Sequence, residues 1–82
     1  MFYVYVIISL KDKTTYIGST ENLEKRLKDH NQGKTKSIKH KVPFELVYFE
    51  AYRNRTQARK REIRLKKNSS EKEKLYKRIF DK

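Results

Sequence analysis

The stretch Phe2-Tyr3-Val4-Tyr5-Val6-Ile7-Ile8-Ser9 carries no charge and no break in its β-branched and aromatic character. A strand with one wet face alternates apolar and polar residues, so a run that does not alternate has to be covered on both faces. The chain must therefore be arranged around a central strand with a layer on each side. At 82 residues it has room for one core, a single domain spanning 1–82. Hydrophobic residues make up 35% of it and charged residues 39%, so the six Tyr and four Phe have to supply much of the burial. The same apolar run is too short to cross a bilayer and lacks the charged start and small-residue cleavage site of a signal peptide. A cytoplasmic protein without membrane attachment is the expectation.

After a polar turn at Lys11-Asp12-Lys13, the segment Thr14 to Gly18 resumes strand composition and predicts a hairpin. Gly18 marks a sharp turn of the backbone or a close approach by something else. Asn22 is placed to cap a helix from Leu23 to Gln32, with Gly33 ending it. Leu23 and Leu27 form its only apolar stripe, and helical spacing sets Arg26 and His30 beside them, facing the sheet. Residues 33–43 read as a basic loop. A third strand is expected over Phe44 to Tyr52, with Phe44, Leu46 and Tyr48 sharing one face and Val47 and Phe49 the other. Thr56 is placed to cap a helix reaching Lys67 in which Ala58, Glu62 and Leu65 share a face. Ser70 and Glu73 form a capping-box pattern for a last helix that turns Leu75, Tyr76, Ile79 and Phe80 inward.

Lys and Arg number 22 against 10 Asp and Glu, a formal net charge of +12. A phosphate backbone would relieve that self-repulsion and release counterions, so nucleic acid is the expected partner. The loop lysines Lys34, Lys36, Lys39 and Lys41 are candidates for the grip. The absence of Cys excludes disulfides, Cys-containing zinc sites and thiol nucleophiles, and leaves the redox compartment open.

Tyr5, Tyr16, Arg26 and Glu62, with His30 a fifth, are expected to point toward one side of the sheet. Phenol, guanidinium and carboxylate together suit phosphodiester hydrolysis, which needs a base, a charge stabiliser and a cation site. One carboxylate is sufficient for Mg2+, which keeps several waters and takes substrate phosphate as a ligand. Each residue also has a plainer reading: Glu62 as a surface ion pair, Arg26 as a stem covering Leu23, the tyrosines as core. A phenol serves as a base only where its acidity is raised, as neighbouring cations would raise it, and His30 has the more suitable ordinary pKa.

Tyr3-Val4-Tyr5, ten residues, then Tyr16-Ile17-Gly18, Asn22-Leu23, Arg26-Leu27, His30-Asn31, and Glu62 on a later helix form an ordered pattern. It resembles the GIY-YIG nuclease domain, in particular its small stand-alone bacterial members, from about Phe2 to Leu75. That resemblance implies an α+β fold, a three-stranded antiparallel sheet flanked by helices. It also implies DNA cleavage by a one-metal hydrolytic mechanism using Mg2+ or Mn2+. Such an endonuclease would be structure-selective or weakly specific and would serve DNA repair or recombination. By position, Tyr5 and Tyr16 match the tyrosines of the two half-motifs, Arg26 the helix arginine, Glu62 the metal ligand, and His30 a histidine common in the small members. Tyr3 and Val4 depart from the Gly and Ile of the family name, and Asn68 stands too near Glu62 to match the downstream Asn of some members. Two other readings compete: a non-catalytic DNA- or RNA-binding module on the same fold, and a protein-interaction subunit that brings charge to an acidic partner.

Overall fold

A computed structural model describes residues 1–81. Strand β1 (Phe2–Ser9) and strand β2 (Thr15–Thr20) form the hairpin. Helix α1 (Leu23–Asn31), a short 3-10 turn at Lys39–Lys41, strand β3 (Phe44–Tyr52), helix α2 (Arg55–Lys67) and helix α3 (Ser69–Phe80) follow. The sheet is antiparallel in the order β2-β1-β3. The uninterrupted apolar strand is therefore the central one.

Its two faces feed two separate cores. Val4 and Val6 pack with Ile17, Ala58, Leu65 and Leu75 beneath α2 and α3. Tyr5 and Ile7 pack with Phe44, and with Leu23 and Leu27 of α1, on the opposite face. Val4, Val6 and Ile7 are completely buried, and each such side chain contributes about 1.5–3 kcal/mol of transfer free energy.

The strand β3 departs from simple alternation. Val6 lies opposite Tyr48 and Ile7 opposite Leu46, which leaves Val47 as an extra residue, a β-bulge. Phe44 and Leu46 consequently join the α1 core, whereas Val47, Tyr48 and Tyr52 pack on the α2–α3 side. Tyr48 thus does not share the face of Phe44 and Leu46, because the bulge inverts the strand's parity. Past the bulge, Glu50 accepts from the hydroxyls of Tyr48 and Tyr52, each at 2.6 Å, and from Arg61 Nε and Nη2 at 3.0 and 3.1 Å. Burial, and then the Glu50 carboxylate, push the Tyr52 hydroxyl up to about 12.

Both later helices begin earlier than the Ser/Thr pattern suggests. Asn54 caps α2, accepting from Gln57 N, and Asn68 caps α3, accepting from Glu71 N. Asn68 also closes the C-terminal end of α2, so one residue separates the two helices. Gly33 ends α1 with φ at +76°, a left-handed conformation that glycine adopts without strain. The segment after it is fastened to the hairpin. Buried Ser9 donates to Lys41 O at 2.6 Å, and its oxygen accepts from the backbone amides of Lys11 and Asp12.

Candidate functional site

The hairpin register places Tyr5 directly across from Gly18. A Cβ on Gly18 would lie 2.4 Å from the Tyr5 hydroxyl, so the glycine is required by close approach and not by a turn. The space it leaves lets the phenol cross the surface of β2 toward α1.

There it meets two side chains one helical turn apart. Tyr5 Oη lies 2.8 Å from His30 Nε2 and accepts from Arg26 Nε at 3.4 Å. His30 is completely buried, edge-on to Tyr16 and Phe44, and its Nδ1 is 2.9 Å from Thr35 Oγ1. Burial, and then the adjacent Arg26, hold its pKa below the ordinary value, so the ring is neutral at pH 7. Arg26 has only protons to give, so full pairing of the buried groups requires Tyr5 to donate to His30 Nε2 and Nδ1–H to donate to Thr35. Asn31 fixes the end of α1 by exchanging two hydrogen bonds with the backbone of Phe44. Burial raises the pKa of Tyr5 and outweighs Arg26, which acts on the phenol in the expected, opposite direction.

Glu62 arrives from the other face. Alternation along β2 sends Ser19 toward α2, where its hydroxyl donates to Glu62 Oε1 at 2.6 Å. Arg59 Nη1 reaches the same oxygen at 3.3 Å, and Lys66 Nζ reaches Oε2 at 2.8 Å. Burial opposes ionisation, but the hydrogen bonds from Lys66 and Ser19 and the charges of Lys66 and Arg59 prevail, so the carboxyl titrates below its ordinary value. The five residues therefore do not point from one side of the sheet. Tyr5, Tyr16, Arg26 and His30 stand on the α1 face, Glu62 stands on the α2 face, and β2 is the thin edge between them. Lys66 bridges that edge, its ammonium 5.5 Å from the centre of the Tyr16 ring.

A groove of about 710 Å³ opens beside this edge, between the N-terminal halves of α1 and α2. Its walls carry Lys25 and Arg26 from one helix and Arg55 and Arg59 from the other. The loop lysines are less uniformly available. Lys34 reaches Asp29 at 3.5 Å, and Lys41 is held by Thr14 and Asp12 at 3.0 and 3.5 Å. Lys36 and Lys39 are exposed and have no acidic partner among the described residues.

Sequence reading missed Ser19, Thr35, Arg59 and Lys66. Arg59 and Lys66 were legible as the i−3 and i+4 neighbours of Glu62. Ser19 followed from strand parity once β2 ran past Gly18 to Thr20. Nothing local marked Thr35.

Among the described residues no group of three or more His, Asp or Glu side chains gathers to hold a metal. The donor set fits a cation only in the sparse manner, one carboxylate with water and phosphate completing the shell. Glu62 would be that ligand.

A central strand whose tyrosine contacts a helix arginine and histidine, with a helix glutamate on the other side of a tyrosine- and glycine-bearing edge strand, belongs to a small α+β domain built on a three-stranded antiparallel sheet. The chain belongs to the GIY-YIG family, matching the GIY-YIG catalytic domain over residues 1–77. Its relatives are small bacterial proteins. It is 47% identical over 68 residues to the UPF0213 protein CPE1444 of Clostridium perfringens, covering 82% of this chain and 72% of that protein. It is 36% identical over 73 residues to the UPF0213 protein YazA of Bacillus subtilis, covering 88% and 74%. The solution NMR structure of the UPF0213 protein BH0048 from Bacillus halodurans superposes with a TM-score of 0.57 at 27% identity, covering 99% of this chain and 89% of that one.

Proposed function

We propose that this protein is a metal-dependent endonuclease that hydrolyses DNA phosphodiester bonds with weak or structural selectivity, acting in the cytoplasm in repair or recombination. The observation that carries the reading is the unspent guanidinium of Arg26. Its Nε is fixed on Tyr5, and no acidic hydrogen-bond partner for its terminal nitrogens occurs among the described residues. Arg26 lines the groove, in which Lys25, Arg55 and Arg59 outnumber the acids Glu21 and Asp29. A planar fork so held offers two donors to non-bridging phosphate oxygens and offsets charge as it builds in the transition state.

The remaining roles follow from the contacts. Mg2+ or Mn2+ on Glu62 would polarise the phosphate and its attacking water. Tyr5 on its own resists deprotonation, but its proton is already directed at a neutral imidazole. We assign Tyr5 and His30 a shared base role: the water proton passes to Tyr5 Oη as the phenolic proton passes to His30 Nε2. Arg26 faces the oxygen on which negative charge would otherwise develop. Water oxygen bonds to phosphorus, the bond to the leaving oxygen breaks, and solvent protonates that oxygen. Tyr16 packs against the His30 ring and closes this pair off from Lys66.

For the grip we propose Lys25, Arg26, Arg55 and Arg59 along the groove, with Lys36 and Lys39 as the loop's contribution. Of these, Arg55 is held by Glu21 at 3.0 Å and Lys25 lies 4.0 Å from Asp29, so they, like Arg59, Lys34 and Lys41, have first to leave their carboxylates. No helix among the described residues is long and apolar enough to cross a membrane, consistent with a nucleic-acid partner. Nicking of plasmid and branched DNA by the purified protein with Mg2+ or Mn2+ tests the proposal. Cleavage should require Glu62 and Arg26. Cleavage that survives Glu62→Gln would overturn the assigned site, and salt-sensitive binding with no cleavage of any DNA would transfer the protein to the non-catalytic alternative.

A further inference from the structure

One stripe of α2 leaves the groove at Arg55 and Arg59 and continues to Glu62 and Lys66, at spacings of four, three and four. The single buried carboxylate on this helix thus lies between two cations on its own face, and both touch it. Ordinarily a helix ion pair of this spacing is a minor surface feature. Here the acid and the bases differ sharply in exposure. The Glu62 side chain is 6% exposed, Arg59 66% and Lys66 44%.

The two carboxylate oxygens have different partners. Oε1 is shared by Ser19, a short hydroxyl on the sheet, and by Arg59. Oε2 is engaged by Lys66, the only hydrogen-bond donor to it among the described residues. Ser19 can hold the orientation of the carboxylate while Lys66 leaves. In the same position the ammonium already lies 5.5 Å from the centre of the Tyr16 ring, a second partner that remains when the carboxylate is given up. A cation approaching Glu62 from outside therefore meets Lys66 at the oxygen it needs, and Arg59 at the other.

We infer that Arg59 and Lys66 form an internal cap on Glu62 which competes with a divalent cation, and that phosphate groups of a bound strand draw this cap off and admit the cation. This rests on the reading of Glu62 as the cation ligand and goes beyond it by naming what keeps the ligand occupied in the free protein. Anchored on flexible exposed stems, both cations can exchange one carboxylate for phosphate oxygens without rearranging the backbone. Binding of nucleic acid and binding of the cation are then mutually reinforcing, since any coupling between two ligands acts equally in both directions.

Direct Mn2+ binding by electron paramagnetic resonance, without nucleic acid, tests the cap independently of cleavage. Lys66→Met should bind Mn2+ about tenfold more tightly than the unmodified protein, the effect of removing one positive charge at a few ångströms in a partly wet site. Arg59→Met should do the same more weakly, and Glu62→Gln should abolish the site in either background. In fluorescence anisotropy, Mn2+ should strengthen binding of a short DNA strand to Arg26→Ala, used to prevent turnover. That enhancement should shrink when Lys66→Met is added. Mn2+ affinity unchanged or reduced in Lys66→Met, with the site still dependent on Glu62, would overturn the cap and leave the nuclease reading intact. Absence of a Glu62-dependent Mn2+ site in every variant would remove both. Circular dichroism melting of each variant separates these results from loss of fold.

Discussion

Two clusters in the molecule share two tyrosines, an arginine and a glutamate, to which the second adds His30, Ser19, Arg59 and Lys66. In the first, Tyr48, Tyr52 and Arg61 all spend their polar groups on Glu50, the arginine through two nitrogens at once. In the second, Tyr5 and Arg26 bond each other, Tyr16 packs against His30, and Glu62 is held by Ser19 and two exposed cations. Residue types do not separate a brace from a reactive site. What separates them is whether the strongest donors and acceptors are spent on one another by side chains that cannot leave. Arg61, 25% exposed, is fixed on Glu50, whereas Lys66 and Arg59 are free to swing away from Glu62.

The sharpest way to break this comparison is to remove one acid from each cluster. Glu62→Gln or Arg26→Ala should lower DNA cleavage by about 10³-fold, the loss of roughly 4 kcal/mol of transition-state stabilisation, while costing about 1 kcal/mol in urea unfolding. Glu50→Gln should do the opposite, costing about 2–3 kcal/mol of stability with cleavage per folded molecule unchanged. Equal damage to cleavage from both acids would erase the distinction.

Next in size is Gly18→Ala. The added methyl meets the Tyr5 hydroxyl, and overpacking of this kind costs about 1–3 kcal/mol. Because the phenol must shift away from Arg26 and His30, cleavage should fall by more than the loss of folded protein explains.

The pH dependence of stability sharpens the contrast further. His30 titrates below its ordinary value of 6.5 when folded, so the unfolded chain takes up a proton that the folded one refuses. Stability should therefore decline as pH drops below about 6.5, a slope that His30→Gln removes. Glu50 and Glu62 are also held below their ordinary 4.5. Their contribution is present above that value and is lost as pH falls through the lowered folded values, so it adds a second decline in stronger acid. Denaturation midpoints from pH 7 down to well below 4.5 resolve the two. The smallest effect expected is that of Asn68→Ala, about 1 kcal/mol for a lost helix cap, with no change in cleavage.

The sequence made the elements legible wherever a local rule governed them. The central position of β1 followed from its lack of alternation and α1 from Asn22 and Gly33, while a glycine inside strand composition left Gly18 open between a turn and the close approach that the hairpin register shows. The capped starts of α2 and α3 were misplaced because asparagine amides just upstream compete with Ser and Thr for the same backbone donors, and Asn54 and Asn68 hold them. The site was legible as a set of residues and illegible as a geometry. Tyr5, Arg26 and His30 are brought together by helix spacing over a known strand. The approach of Glu62 from the opposite face depends on which side α2 packs, and no local pattern encodes that.

The extra residue at Val47 gives β3 the character of a message read in two frames. Before it, alternate residues serve the core under α1. After it, the same alternation serves the core under α2 and α3, and Tyr48, Glu50 and Tyr52 fall in phase to form the brace. Regular pairing of the same nine residues, without the bulge, would keep one frame throughout and turn that trio toward the wrong layer, while Phe49, now exposed beside Tyr3, would change faces as well. The irregular pairing of this strand is thus as necessary to the fold as its composition.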